Sequence, residues 1–155
     1  MKKIPSILIP IIENKNFLLV NLNEYLNKKN VIIFGVPGAF TPTCSELHLP
    51  SFLEYYDQIK EKGFDDIFCM SVNDKYVMQS WLLSYDIENK IKGIADGNGE
   101  VSKNLNFLID KTSSFMGLRC KRFAMIVQNN FIKNIFFEDP INVEKTYAKN
   151  ILKHL

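Results

Sequence analysis

Cys44 closes the segment Gly35-Val36-Pro37-Gly38-Ala39-Phe40-Thr41-Pro42-Thr43-Cys44, between the apolar run Val31-Ile32-Ile33-Phe34 and a stretch with helical spacing. In the first turn of a helix a thiol meets backbone N–H groups that lack an intrahelical acceptor. Such donors favour the thiolate, the nucleophilic form of cysteine. Thr41 stands three residues earlier, where its hydroxyl either caps the helix or hydrogen-bonds beside the sulfur. Pro37 fixes φ at the strand end, and Pro42 restrains the entry to the helix without adding an N–H that needs a partner. The set suits nucleophilic attack by sulfur. The plainer reading of Cys44 is a small buried residue, but its place in a polar, proline-punctuated junction favours the reactive one.

A cation beside the sulfur would complement its negative charge, and Arg119, Lys121 and Arg122 cluster just before the apolar run Phe123-Ala124-Met125-Ile126-Val127. An arginine suits the task because its donors form a fixed fork that stays charged. The residue types leave the choice among the three open, beside the reading as a solvated basic patch. His48, four residues after Cys44, shares its helix face. A Cys–His pair for acyl transfer needs a third group to orient the imidazole, and none can be located, so His48 reads as a pocket-lining or surface residue before a general base. Cys69 lies inside the apolar run Asp66 to Val72 and reads as core, whereas the basic neighbours of Cys120 would lower its pKa.

The elements that must carry these residues follow a β-α-β-α order. Val31 to Phe34 and Asp66 to Val72 lack polar alternation, as strands covered on both faces do. Leu49, Phe52, Leu53, Tyr56 and Ile59 form a helical stripe through Pro50, which predicts a kink there; Tyr76 to Tyr85 carries a second stripe. Asp96-Gly97-Asn98-Gly99 predicts a turn before a helix over Val101 to Leu108. Asn129-Asn130 centres a hairpin between Phe123–Val127 and Ile132–Phe137, and Val143, Tyr147 and Ile151 predict a final helix after Pro140. These elements fit one α/β domain over residues 1–155 with a mixed sheet. The apolar stretch Ile7 to Ile12 is too short to span a membrane and reads as part of the fold, or as what remains after a presequence is removed.

Several function classes fit poorly. The formal charge of +2, from 19 Lys+Arg against 17 Asp+Glu, is too small to argue for a nucleic-acid backbone as partner. Three cysteines without a C-x-x-C pair, and two histidines, fit neither a disulfide scaffold nor a structural zinc site. They suit a soluble intracellular protein, in the cytoplasm or the lumen of a mitochondrion or plastid, rather than a secreted one. The glycines match no nucleotide-binding loop, and no cofactor is expected.

Pro37-x-x-x-Thr41-x-x-Cys44 resembles the peroxiredoxin active-site motif, and the longer segment Gly35 to Ser45 is similar to that of the peroxiredoxin-5-like, or type II, subgroup. The resemblance runs from roughly Asn21 to Val127 and takes in Ser71-Val72-Asn73-Asp74, Trp81, Ala95-Asp96 and Lys121-Arg122-Phe123-Ala124-Met125. It implies a thioredoxin-like fold, a mixed central sheet flanked by helices, and reduction of hydrogen peroxide and alkyl hydroperoxides by a peroxidatic cysteine. On that resemblance Cys44 is the nucleophile, Thr41 the hydroxyl contact, Arg122 the guanidinium and Pro37 the shield, with the backbone N–H groups of Thr43 and Cys44 completing the site; beside it, Thr43 and the pocket-lining His48 are the expected substrate-binding residues. Some type II relatives carry a resolving cysteine after the terminal hairpin, but Phe136-Phe137-Glu138-Asp139-Pro140 has none. That departure implies a one-cysteine cycle recycled by glutathione with glutaredoxin, or by thioredoxin. The resemblance also implies a homodimer, for which Phe40, Leu47, Phe115 and Met116 are interface candidates beside a core reading. The competing functions are a redox sensor that relays oxidation from Cys44 to a partner, and a noncatalytic thioredoxin-like module.

Overall fold

A seven-stranded mixed sheet runs through the chain, and its centre is the pair of apolar runs that the sequence marks as doubly covered. The computed structural model describes residues 2–138 and 143–155. The first half comprises β1 (Leu8–Glu13), β2 (Asn16–Asn21), α1 (Leu22–Tyr25), β3 (Asn30–Gly35), α2 (Leu49–Glu54), α3 (Tyr56–Glu61) and β4 (Asp66–Ser71). The second comprises α4 (Lys75–Leu83), β5 (Ile91–Ala95), α5 (Glu100–Asn104), β6 (Leu108–Asp110), β7 (Leu118–Cys120), β8 (Phe123–Gln128), β9 (Phe131–Phe137) and α6 (Ala148–Leu152). The strand order is β2-β1-β5-β4-β3-β8-β9, and β6 pairs with β7 in a small separate sheet. Strands β3, β4 and β5 are parallel, while the hairpins β1–β2 and β8–β9 flank them antiparallel. This is the thioredoxin-like α/β arrangement, with a mixed sheet between helices.

The side chains of β3 divide between two cores. Ile32 and Phe34 join Cys44, Phe52 and Trp81 on one face, and Val31 and Ile33 join Phe68, Phe123 and Val127 on the other. Burial on both faces explains why the run has no polar alternation. The β8–β9 turn places Asn129 and Asn130 at φ 50° and 69°, the left-handed pair that a tight hairpin requires and that asparagine tolerates.

Some elements differ from their predicted form. Before Pro50 the helix widens over Cys44–His48, where the Leu49 N–H donates to the Cys44 carbonyl, and it continues as α2. The widened turn precedes Pro50, whose missing N–H an ordinary helical turn would leave without its bond. Helix α5 stops at Asn104, because Asn106 adopts φ 64° and the chain turns into β6. The final helix is shorter than the apolar spacing predicts: Tyr147 is extended, so Val143 lies in a turn before α6. Asp139 to Asn142, including Pro140, lie outside the described residues. The stretch Ile7 to Ile12 overlaps β1, which pairs with β2 and β5. No helix among the described residues is long and apolar enough to cross a membrane.

Candidate active site

The register of β3 against β8 carries Arg122 to the sulfur. Gly35 is opposite Phe123, so the residues one step beyond, Val36 and Arg122, emerge together at the sheet end where the Cys44 loop begins. A Cβ on Gly35 would lie 1.9 Å from the Phe123 ring, so glycine is what lets the two strands close at this point. The chain then crosses Pro37 to Thr41 and enters the helix at Pro42.

Arg122, itself buried, donates from Nη2 to Cys44 Sγ at 3.0 Å. Its other terminal nitrogen, Nη1, lies 2.8 Å from His48 Nδ1, and His48 Nε2 lies 3.1 Å from the Thr146 carbonyl. A carbonyl only accepts and a guanidinium only donates, so the imidazole is neutral with its proton on Nε2. Burial, reinforced by the Arg122 charge and opposed by the Thr146 carbonyl, pushes His48 down to about 3. The same ring packs against Phe34 and Phe52. His48 therefore stands behind Arg122, with no exposed surface and both nitrogens engaged; the expected substrate contact is not available to it. Thr146 enters this chain of contacts without any sequence signal, because it lies 98 residues from His48.

Thr41 donates its hydroxyl proton to the Gly38 carbonyl at 2.7 Å, which leaves the oxygen lone pairs free to accept. With the helix starting at Pro42, the N–H groups of Thr43 and Cys44 occupy the first turn, where no intrahelical acceptor exists. Pro37 is half-buried at the mouth. Arg119 approaches from the rim, donating to the Met116 carbonyl at 2.8 Å, with its Nη1 3.5 Å from the Pro37 carbonyl. Of the three basic candidates, Arg122 reaches the sulfur, Arg119 reaches the loop, and Lys121 turns over the Phe137 ring.

A second layer holds this loop and helix. Asn73 Oδ1 accepts from the Ala39 N–H at 3.0 Å and from the Ser71 hydroxyl at 2.7 Å. Trp81 Nε1 donates to Ser45 Oγ at 3.0 Å, and the Tyr85 hydroxyl donates to the Ser45 carbonyl at 2.6 Å. The roles of Ser45, Asn73 and Tyr85 are visible only once strand β4 and helix α4 are packed against the loop.

Cys69 and Cys120 are fully buried, and all three cysteines are free. The expectation that basic neighbours lower the Cys120 pKa is corrected: burial pushes its thiol up to about 12, and the sulfur donates to the Val36 carbonyl at 3.1 Å. Arg119 and Lys121 flank it in sequence, but Arg119 turns to the Met116 and Pro37 carbonyls and Lys121 to the Phe137 ring. Cys69 is raised as well, again by burial.

The arrangement presents one sulfur to a charged donor, two free N–H groups and a hydroxyl acceptor, a set that matches an attack in which negative charge leaves sulfur for oxygen. A family model described as Redoxin matches residues 2–152. Peroxiredoxin-2D of Arabidopsis thaliana is 38% identical over 92% of this chain and 88% of its own length. Peroxiredoxin-2C of Oryza sativa subsp. japonica is 42% identical over 82% and 78%. Among solved structures, reduced Prx3 of Vibrio vulnificus in complex with hydrogen peroxide superposes with a TM-score of 0.92 at 36% identity, covering 99% of this chain and 96% of that one. The 1-Cys peroxiredoxin antioxidant protein of Plasmodium falciparum gives 0.88 at 38% identity, with 99% and 95% covered. The chain belongs to the Redoxin family and, within it, to the peroxiredoxins. Peroxiredoxin-type thiol peroxidase activity is the chemistry that this membership carries.

Proposed function

We propose that this chain, as one domain over residues 1–155, is a one-cysteine thiol peroxidase of the peroxiredoxin-5-like, type II kind, acting on hydrogen peroxide and alkyl hydroperoxides. Cys44 sulfur attacks the distal peroxide oxygen; an S–O bond forms as the O–O bond breaks, and the leaving oxygen departs with the electron pair and takes up a proton. Arg122 and the N–H groups of Thr43 and Cys44 hold the oxygens as charge moves onto them. Thr41, its own proton committed to Gly38, accepts a hydrogen bond from the peroxide O–H, and the leaving oxygen takes its proton from solvent. Pro37 limits water at the mouth, and His48 fixes the guanidinium plane rather than meeting substrate. The observation that carries this reading is the forked contact of Arg122, with one nitrogen on Cys44 Sγ and the other on His48.

The product is a Cys44 sulfenic acid. Cys120 is buried, protonated at neutral pH and engaged with Val36, and Cys69 is buried too; neither has the thiolate character that attack on the sulfenic acid requires. The reductant is therefore an external thiol, glutathione with glutaredoxin or else thioredoxin, in a soluble intracellular compartment. Phe40, Leu47 and Phe115 are exposed around the active loop, Phe115 at 98%, which supports a homodimer that covers them.

Peroxide consumption followed with glutathione and glutaredoxin, and separately with thioredoxin, tests the cycle. Sustained turnover that survives Cys120→Ser and vanishes in Cys44→Ser is the expected result. A single oxidation event followed by tight capture of a partner would favour the sensor instead.

A further inference from the structure

Beside the mouth of the site lies a cavity of about 460 Å³, whose wall includes Pro37 and Arg122. Its size falls within the usual range for small-molecule pockets, and seven of the nine residues that line it are polar or charged, Pro37 and Ile109 being the other two. That composition suits a charged ligand better than the hydrocarbon tail of an alkyl hydroperoxide. Lys111 and Lys121 stand on this wall, and neither forms an ion pair among the described residues. The two acids present are differently placed. The Asp110 carboxylate is tied to the Thr112 N–H and hydroxyl at 2.8 and 2.7 Å. Glu138 accepts from the Lys145 N–H through Oε1, while its Oε2 is buried without a partner among the described residues. Glu138 is held beside Arg122 by its own N–H, which donates to the Arg122 carbonyl at 3.2 Å.

We propose that this groove between the β6–β7 loop and β9 is the docking site for the small peptide thiol that reduces oxidised Cys44, a molecule carrying two carboxylates and one ammonium. The proposal rests on the external-thiol cycle proposed above. Lys111 and Lys121 take the carboxylates, and the Glu138 carboxylate on the same wall takes the ammonium. Three cations against two acids leave the wall with one surplus positive charge, complementary to a thiol of net charge −1. Oxidation strengthens the match. While Cys44 is a thiolate it neutralises Arg122, whereas a sulfenic acid carries no charge and leaves the guanidinium to the incoming anion. The thiol sulfur attacks Cys44 sulfur, an S–S bond forms, and the S–O bond breaks to release water with the thiol proton. A second thiol then displaces Cys44 from the mixed disulfide, giving back its thiolate and an external disulfide.

The test uses the full chain oxidised with one equivalent of hydrogen peroxide, then mixed with glutathione or with uncharged 2-mercaptoethanol. Mixed-disulfide formation is followed by intact mass, and the readout is the ratio of the two second-order rate constants. Lys111→Glu is expected to lower the glutathione-to-mercaptoethanol ratio about tenfold, and added salt is expected to lower it in the unaltered protein. A ratio insensitive to both the substitution and salt overturns the groove and leaves the external-thiol cycle standing. Sulfenic acid that neither thiol reduces overturns that cycle and the groove with it.

Discussion

Cys44 and Cys120 are equally hidden, at 1% and 0% exposure, and each lies beyond the end of β3, yet their sulfurs face opposite partners. Cys44 receives an N–H from the Arg122 guanidinium, whereas Cys120 donates its own proton to the Val36 carbonyl. A sulfur that must donate is held as a thiol, and burial adds to this by raising Cys120 to about 12. A sulfur that accepts from a cation is ready to carry negative charge. Reactivity at this sheet end is therefore decided by the polarity of the nearest partner, since burial does not separate the two residues. The three-residue path from Cys120 to Phe123 achieves both outcomes. Lys121 and Arg122 belong to neither strand, and this break lets the Cys120 sulfur reach Val36 while the register of β8 brings Arg122 against Cys44.

The contrast can be broken in steps. Cys44→Ser has the largest expected effect, reducing peroxide consumption to the uncatalysed background, as read by peroxide loss in the presence of excess thiol. Arg122→Lys keeps the charge but cannot span Sγ and His48 Nδ1 together, so the rate constant for oxidation by peroxide, read by stopped-flow fluorescence of Trp81, is expected to fall about 10²-fold. His48→Ala leaves Arg122 Nη1 unpaired in a buried site. It is expected to slow the same step about tenfold and to cost about 2 kcal/mol in denaturant unfolding, while His48→Asn, which retains an acceptor, recovers part of the rate.

His48 also makes a pH signature specific to the Cys44 side. Its folded-state pKa, about 3, lies below its ordinary value of 6.5, so between these values the unfolded chain binds a proton that the folded chain refuses. Stability is full above pH 6.5 and declines toward pH 3 with a slope of up to about 1.4 kcal/mol per pH unit from this group. Urea midpoints measured from pH 7 to pH 4 check the slope, and His48→Asn is expected to flatten it. Cys120→Ser has the smallest effect: it keeps a donor for Val36 and is expected to change the oxidation rate by less than about twofold and stability by about 1 kcal/mol.

Cys44, its proline-bounded loop, the doubly buried strands β3 and β4 and the Asn129-Asn130 hairpin were legible because each has a local signal: a junction, an apolar run, a turn pair. Strand β5 was not, since Lys92 and Gly93 interrupt its apolar pattern. Lys92 pairs with Glu13 and Asp66 across the sheet, and Gly93 is required where Leu82 and Ile12 press close. The same limit applies to the site. The choice of Arg122 over Arg119 and Lys121 depends on the register of β8, and the role of His48 depends on partners 74 and 98 residues away. The widened turn over Cys44–His48 has no local signal either, since Pro50 marks an irregularity in the helix without specifying its form.

Trapping the sulfenic acid with dimedone after substoichiometric hydrogen peroxide, followed by peptide mass spectrometry, tests most directly whether partner polarity selects the reactive sulfur. The expected result is an adduct on Cys44, with Cys69 and Cys120 unmodified and with the adduct diminished in Arg122→Lys. An adduct on Cys120 or Cys69 in the native protein, or equal labelling of Cys44 when the guanidinium is replaced, would contradict it.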